Sequence, residues 1–101
     1  MEQNFLVQLM TVRKNGYAIQ YFENPNEAVQ LAAVNQDGDV IQFIHNPSER
    51  VQLASVTQNA KSIQYIKKPT EAVQIAAVGN CADAIEYIQY PSESVRLAAR
   101  E

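Results

Sequence analysis

The two most reactive side chains in this chain of 101 residues are a single histidine, His45, and a single cysteine, Cys81, and neither is placed to do chemistry. A nucleophile needs a base beside it, and a metal ion needs three or four ligands at compatible spacing. His45 occupies a position filled 22 residues away on either side by Glu23 and Lys67, and by Gln89 one step further on, so it reads as a variable surface residue. Cys81 has no second cysteine, and no cluster of His, Asp or Glu at ligand spacing accompanies it. Nor is there a glycine-rich segment that would cradle a phosphate. The residues predict a non-enzymatic protein with no catalytic residue, no metal and no cofactor.

Side chains that recur at a fixed interval carry more information. One aromatic ring appears in each 22-residue interval, at Tyr21, Phe43, Tyr65 and Tyr87. Rigid amphipathic rings at regular rise make a protein-binding strip, unless each ring packs against the next interval and leaves only its hydroxyl in water. Glutamine recurs twice, at Gln8, Gln30, Gln52 and Gln74 and again at Gln20, Gln42 and Gln64, the second series ending in Glu86. Repeated amides suit an extended ligand, bonds between intervals, or a solvated face. Arrays that read nucleic acid one base at a time vary their reading residues systematically. Here the variable positions, among them Tyr17, Asp37, Asp39 and Lys61, are not consistently basic, and the net charge is −3. Direct nucleic-acid binding is not expected.

The elements that hold these residues follow from the same interval. All four prolines, Pro25, Pro47, Pro69 and Pro91, are 22 residues apart, and each opens the phrase Pro-x-Glu-x-Val-Gln/Arg-Leu/Ile-Ala. A short fixed period marks stacked units that bury their apolar faces only against one another. Self-alignment gives units 2–23, 24–45, 46–67 and 68–89 and a half unit 90–101, and the second and third units share 12 of 22 residues. In each unit Asn26, Ser48, Thr70 or Ser92 follows the proline as a helix N-cap, and the next residue is a glutamate suited to the first turn. An N-cap one residue before the proline would fall on Lys68 and Tyr90, which are poor caps. Val29, Leu31, Ala32, Ala33 and Val34 then make a helix apolar nearly all round, as in a helix packed between neighbours.

A second, brief helix opens at Asn15, Asp37 and Asn59 and carries apolar pairs three residues apart: Ile19 and Phe22, Ile41 and Ile44, Ile63 and Ile66, Ile85 and Ile88. Gly16 and Gly38 share their place with Ala60 and Ala82, so that place does not require positive φ. Helices this short are unstable alone, below roughly 12–15 residues, and must be held by stacking. The expected fold is all-α: an α-solenoid of about four and a half 22-residue helix-turn-helix repeats, forming one domain over residues 1–101.

The ends differ from the middle. Arg100 stands where earlier units have Val12, Val34, Val56 and Val78, and Arg96 replaces the glutamine, as in a polar C-terminal cap. At the other end Phe5 and Leu6 replace Glu27 and Ala28, and Met10 replaces Ala32. These larger side chains either fold back to plug the open end or form an apolar patch for a partner or a second copy, in which case a homodimer forms through this end.

A composition 47% apolar and 19% charged is globular and not disordered. No apolar run is long enough to span a bilayer. Met1-Glu2-Gln3-Asn4 carries an acid where a leader would be basic. With one cysteine and hence no internal disulfide, a cytoplasmic location is expected.

The phrase Val-Gln-Leu-Ala-Ala-Val followed by Asn/Asp-Gly-x-Ala/Val-Ile-x-Tyr/Phe-Ile resembles the helical repeat of the domain of unknown function 4116 family over nearly the whole chain. The signature is clear at Ala32 to Gly38 and Thr11 to Gly16, weaker at Ala54 to Ala60, and blurred where Cys81 and Ala82 replace Asn-Gly. A weaker similarity to HEAT-like and leucine-rich variant repeats runs through Pro91 to Ala99. The resemblance implies a cytoplasmic helical repeat of bacterial or bacteriophage type and supplies no site residues. The expected function is therefore a protein-interaction module, with partner-binding candidates Tyr21, Phe43, Tyr65 and Tyr87 on the repeat face and Phe5 and Leu6 at the N-terminal end. The alternative is a phage-encoded inhibitor that occludes a host nucleoprotein complex such as a CRISPR or other defence effector. A contiguous acidic face drawn from Asp37, Asp39, Asp83 and Glu86 would suit that role, although Arg13-Lys14 and Lys67-Lys68 dilute it.

Overall fold

The computed structural model describes residues 4–100; the first two residues of the opening unit and the final glutamate lie outside them. All regular structure in this range is helical. Five α-helices, α1 (Phe5–Lys14), α2 (Glu27–Gln36), α3 (Glu49–Gln58), α4 (Glu71–Asn80) and α5 (Glu93–Arg100), alternate with four 3-10 helices, η1 (Gly16–Tyr21), η2 (Gly38–Phe43), η3 (Ala60–Tyr65) and η4 (Ala82–Tyr87). Each α-helix packs on the next, and the 3-10 helices run beside them as a second row. The result is a rod of 48 × 20 × 16 Å. The all-α solenoid expected from the 22-residue period is the observed architecture.

Each α-helix begins where the sequence placed it. The side chains of Asn26, Ser48 and Thr70, in extended backbone, accept the N–H of the residue three further on, Val29, Val51 and Val73, and Ser92 does the same for Val95. The helix ends just as abruptly. Asn15, Asp37 and Asn59 sit alone between the two helices of their units, with φ near −150° and ψ near 105°. Their backbone N–H closes the α-helix while their side chain accepts the N–H two residues on and opens the 3-10 helix. One residue therefore makes the whole corner. Cys81 makes the corner in the fourth unit with no side-chain cap.

The second helix is 3-10 and not α, and the apolar spacing explains it. In a 3-10 helix residues i and i+3 eclipse, so Ile41 and Ile44, or Ile63 and Ile66, both point inward with nothing required at i+4. All four of these isoleucines are buried. Runs of six are long for this geometry, and Gln20, Gln42 and Gln64 reinforce three of them by donating to the carbonyls of Tyr17, Asp39 and Lys61.

The core is a line of valines and isoleucines. Val29, Val51, Val73 and Val95 are 0% exposed, and burying such a side chain contributes roughly 1.5–3 kcal/mol. Polar links recur at the junctions. Glu27, Glu49 and Glu71 accept hydrogen bonds from the cap hydroxyls of the next unit, Ser48, Thr70 and Ser92, at 2.6–2.7 Å. Gly16 and Gly38 donate their N–H to Gln36 and Gln58 of the next unit, at 2.9 and 2.7 Å.

These glycines are required for close approach. Their φ is not positive, but a Cβ on Gly38 would lie 2.5 Å from the Ser55 carbonyl oxygen. In the third unit the place is taken by Ala60, and the partner shortens from glutamine to Asn80, whose amide instead donates to the carbonyls of Val56 and Thr57 at the end of α3.

Candidate functional site

The aromatic positions Tyr21, Phe43, Tyr65 and Tyr87 are the last residues of the four 3-10 helices. Tyr21 is 80% exposed, whereas Phe43, Tyr65 and Tyr87 are about half covered. Phe43 packs edge-on to Tyr17 of the preceding unit, with ring centroids 5.7 Å apart and planes at 69°, and still presents a face to solvent. In the sequence Tyr17 is only a position that varies between units. Its hydroxyl pKa is raised, chiefly by partial desolvation and then by the carboxylates of Asp37 and Asp39.

Between the aromatic ends of the second and third units the surface opens into a groove of about 600 Å³. Phe43 and Tyr65 wall it; His45, Lys67 and Lys68 line its polar side; Gln52 and Pro47 reach it from the start of α3. Its rim carries Asn46, at φ 52°, which is the one non-glycine residue with positive φ among those described. A residue preceding proline is already restricted, so this left-handed conformation stores strain of the kind that gathers at functional sites. Gln52 donates to the Pro47 carbonyl at 3.0 Å, while its Oε1 is shielded from solvent and has no hydrogen-bond partner. Sequence reasoning missed Asn46 because its type matches that of the unit before, where Asn24 occupies the same place, and it reads Gln52 only as one of a recurring series of amides. The period itself hid the difference.

The glutamine ladders are structural. Gln30, Gln52 and Gln74 each donate to the carbonyl of their unit's proline, and Arg96 keeps that bond in the final half unit with its guanidinium. With the second series holding 3-10 carbonyls, the repeated amides are largely occupied by the backbone. Two of the recurring acids are engaged as well. Asp37 caps η2, and Asp39 accepts from the buried Ser62 hydroxyl at 2.6 Å and from Asn59 at 3.2 Å. Beside them the buried Ser55 hydroxyl donates to the Gly38 carbonyl.

At the N-terminal end Phe5 and Leu6 are 46% and 62% exposed, so neither side chain is sealed into the end of the rod. Val7 and Met10 beside them are exposed too, although Val29 in the same place one unit later is fully covered. The structure thus holds two separate apolar features, the strip with its groove and the end face of α1. Among the described residues no three of His, Cys, Asp and Glu gather where a metal ion would fit, and no helix is long and apolar enough to cross a membrane. Compared with protein-family models, with curated proteins and with solved structures, the chain gives no match.

Proposed function

We propose that this chain is a non-enzymatic interaction module that docks a protein partner on its aromatic strip, centred on Phe43 and Tyr65. The observation that carries this reading is the groove between those two rings. Interfaces concentrate their binding energy in a few aromatic and cationic anchors set in pockets, and here two half-exposed rings, two lysines and a strained loop meet at one place. Repeat rods present such surfaces because their stacked units hold successive side chains at fixed rise. The end face of α1 is the weaker candidate, since the hollow beside Val7 and Met10 there holds about 190 Å³ against about 600 Å³ for the groove. Acidic mimicry of a nucleic acid, the basis of the inhibitor alternative, loses support because Asp37 and Asp39 are tied into the fold.

The test is capture of partners from a native bacterial lysate by tagged wild-type protein, Phe43→Ala/Tyr65→Ala and Phe5→Asp/Leu6→Asp. A stoichiometric partner retained by the end variant and lost by the strip variant is the expected outcome. Retention by the strip variant with unchanged helicity would defeat the proposal, and a change in oligomeric mass confined to the end variant would move the function to self-association.

A further inference from the structure

We infer that the groove between the second and third units takes an extended, acidic peptide segment, with a carboxylate meeting Lys67 and Lys68 and an apolar side chain held between Phe43 and Tyr65. The inference rests on the reading that the aromatic strip docks a protein, and it names the chemistry of what docks. Charge is the first argument. Acids outnumber lysines and arginines in the chain by 11 to 8, yet among the described residues no Asp or Glu lines this groove, and its ionisable residues are His45, Tyr65, Lys67 and Lys68. A local cationic site on an anionic protein attracts an anionic segment there, while the rest of the surface repels it from other places.

The rings supply the second argument. Phe43 and Tyr65 line the same groove and each keeps more than a third of its surface exposed, so an apolar side chain of the bound segment can cover both. A nucleic-acid strand would satisfy the lysines but would carry its charge along the rest of a chain whose net charge is −3.

Size is consistent with this occupant. The rod advances about 11 Å per unit, from 48 Å over four and a half units, so an extended chain rising about 3.3 Å per residue crosses one unit with three residues. A volume near 600 Å³ is in the range of sites that enclose a few side chains.

The experiment uses the full chain and fluorescein-labelled short peptides on one leucine-containing framework, whose flanking residues are aspartate and glutamate, their amides, or lysine. A single-stranded oligothymidine serves as the competing anion. Fluorescence anisotropy is expected to rank the acidic peptide first, with the amide version about tenfold weaker, one decade of affinity being about 1.4 kcal/mol. Lys67→Glu with Lys68→Glu, both exposed and so expected to leave the fold intact, should reverse the ranking toward the lysine peptide, with circular dichroism as the folding control. Phe43→Ala with Tyr65→Ala should abolish binding of all three. Equal binding of acidic and amide peptides, no binding of either, or tighter binding of the oligothymidine overturns the inference. If the peptides fail while a captured partner still depends on Phe43 and Tyr65, the acidic chemistry is wrong and the docking strip stands; if capture is also indifferent to those rings, both fall.

Discussion

Three glycines separate two reasons for having no side chain. At Gly38 the neighbouring unit presses in, and a Cβ would meet the Ser55 carbonyl at 2.5 Å and the Ser62 hydroxyl at 2.9 Å; Gly16 is nearly as tight. Gly79, inside α4, has nothing within 4 Å of the same atom. Gly38→Ala is therefore expected to destabilise the protein by about 1–3 kcal/mol, as overpacking does, whereas Gly79→Ala should stabilise it by about 0.5–1 kcal/mol through helix propensity and a stiffer unfolded chain. Urea unfolding of the two variants checks the opposite signs. Tyr17 gives a second test at this scale. Its hydroxyl is held above the ordinary phenol range, first by desolvation and then by the carboxylates of Asp37 and Asp39. A raised folded pKa means that the folded state keeps the proton longer than the unfolded one, so the contribution is complete below pH 10 and is lost as pH rises from there through the folded value. Tyr17→Phe should remove from the phenolate absorbance titration a component lying above the ordinary phenol range, and flatten the alkaline loss of stability.

The cap residues show how one side chain serves two helices. Ser48 accepts the Val51 N–H and donates to Glu27 of the unit before it, and Thr70 and Ser92 repeat the arrangement. Where the preceding unit has Phe5 in place of glutamate, the cap is Asn26, which meets its own helix without a hydroxyl. Ser48→Ala should cost about 1 kcal/mol from the cap alone, and Ser48→Asn, which keeps a cap-type residue, should recover most of it; thermal unfolding compares them. Much of this was legible. The period, the cap after proline, the corner at Asn15, Asp37 and Asn59, and the absence of positive φ at Gly16 and Gly38 follow from residue types recurring at one place. The 3-10 geometry was written in the Ile41–Ile44 type of spacing, but i, i+3 is shared with the α-helix, and only the single-residue corner leaves too little chain for anything longer. The aromatic positions could be read from sequence, but not the groove, because the positive φ of Asn46 is a departure in conformation by a residue whose type matches Asn24 one unit earlier.

Across the whole rod, position along the stack decides what a substitution costs. Val7 and Val51 occupy the same place in their units, but Val7 is 42% exposed on the end face while Val51 is 0% exposed beneath α2. Val51→Ala should cost about 2 kcal/mol, in line with other core truncations, while Val7→Ala should stay within about 0.5 kcal/mol, as surface changes do; chemical denaturation of the pair distinguishes them. Repetition also carries a hazard. Neighbouring units are alike enough that, judged by apolar side chains alone, α2 could be followed in the stack by α4 as readily as by α3. Such a skip would set Gly38 and Asp39 against Ala77 and Ala84 in place of Ser55 and Ser62, leaving the half-buried Asp39 carboxylate without the serine hydroxyl it now holds at 2.6 Å. An unmade bond of this kind costs about 1–3 kcal/mol, more for a charged group, and the cost would fall only on chains assembled out of order. The polar junction between the second and third units thus proofreads the sequence in which the repeats stack.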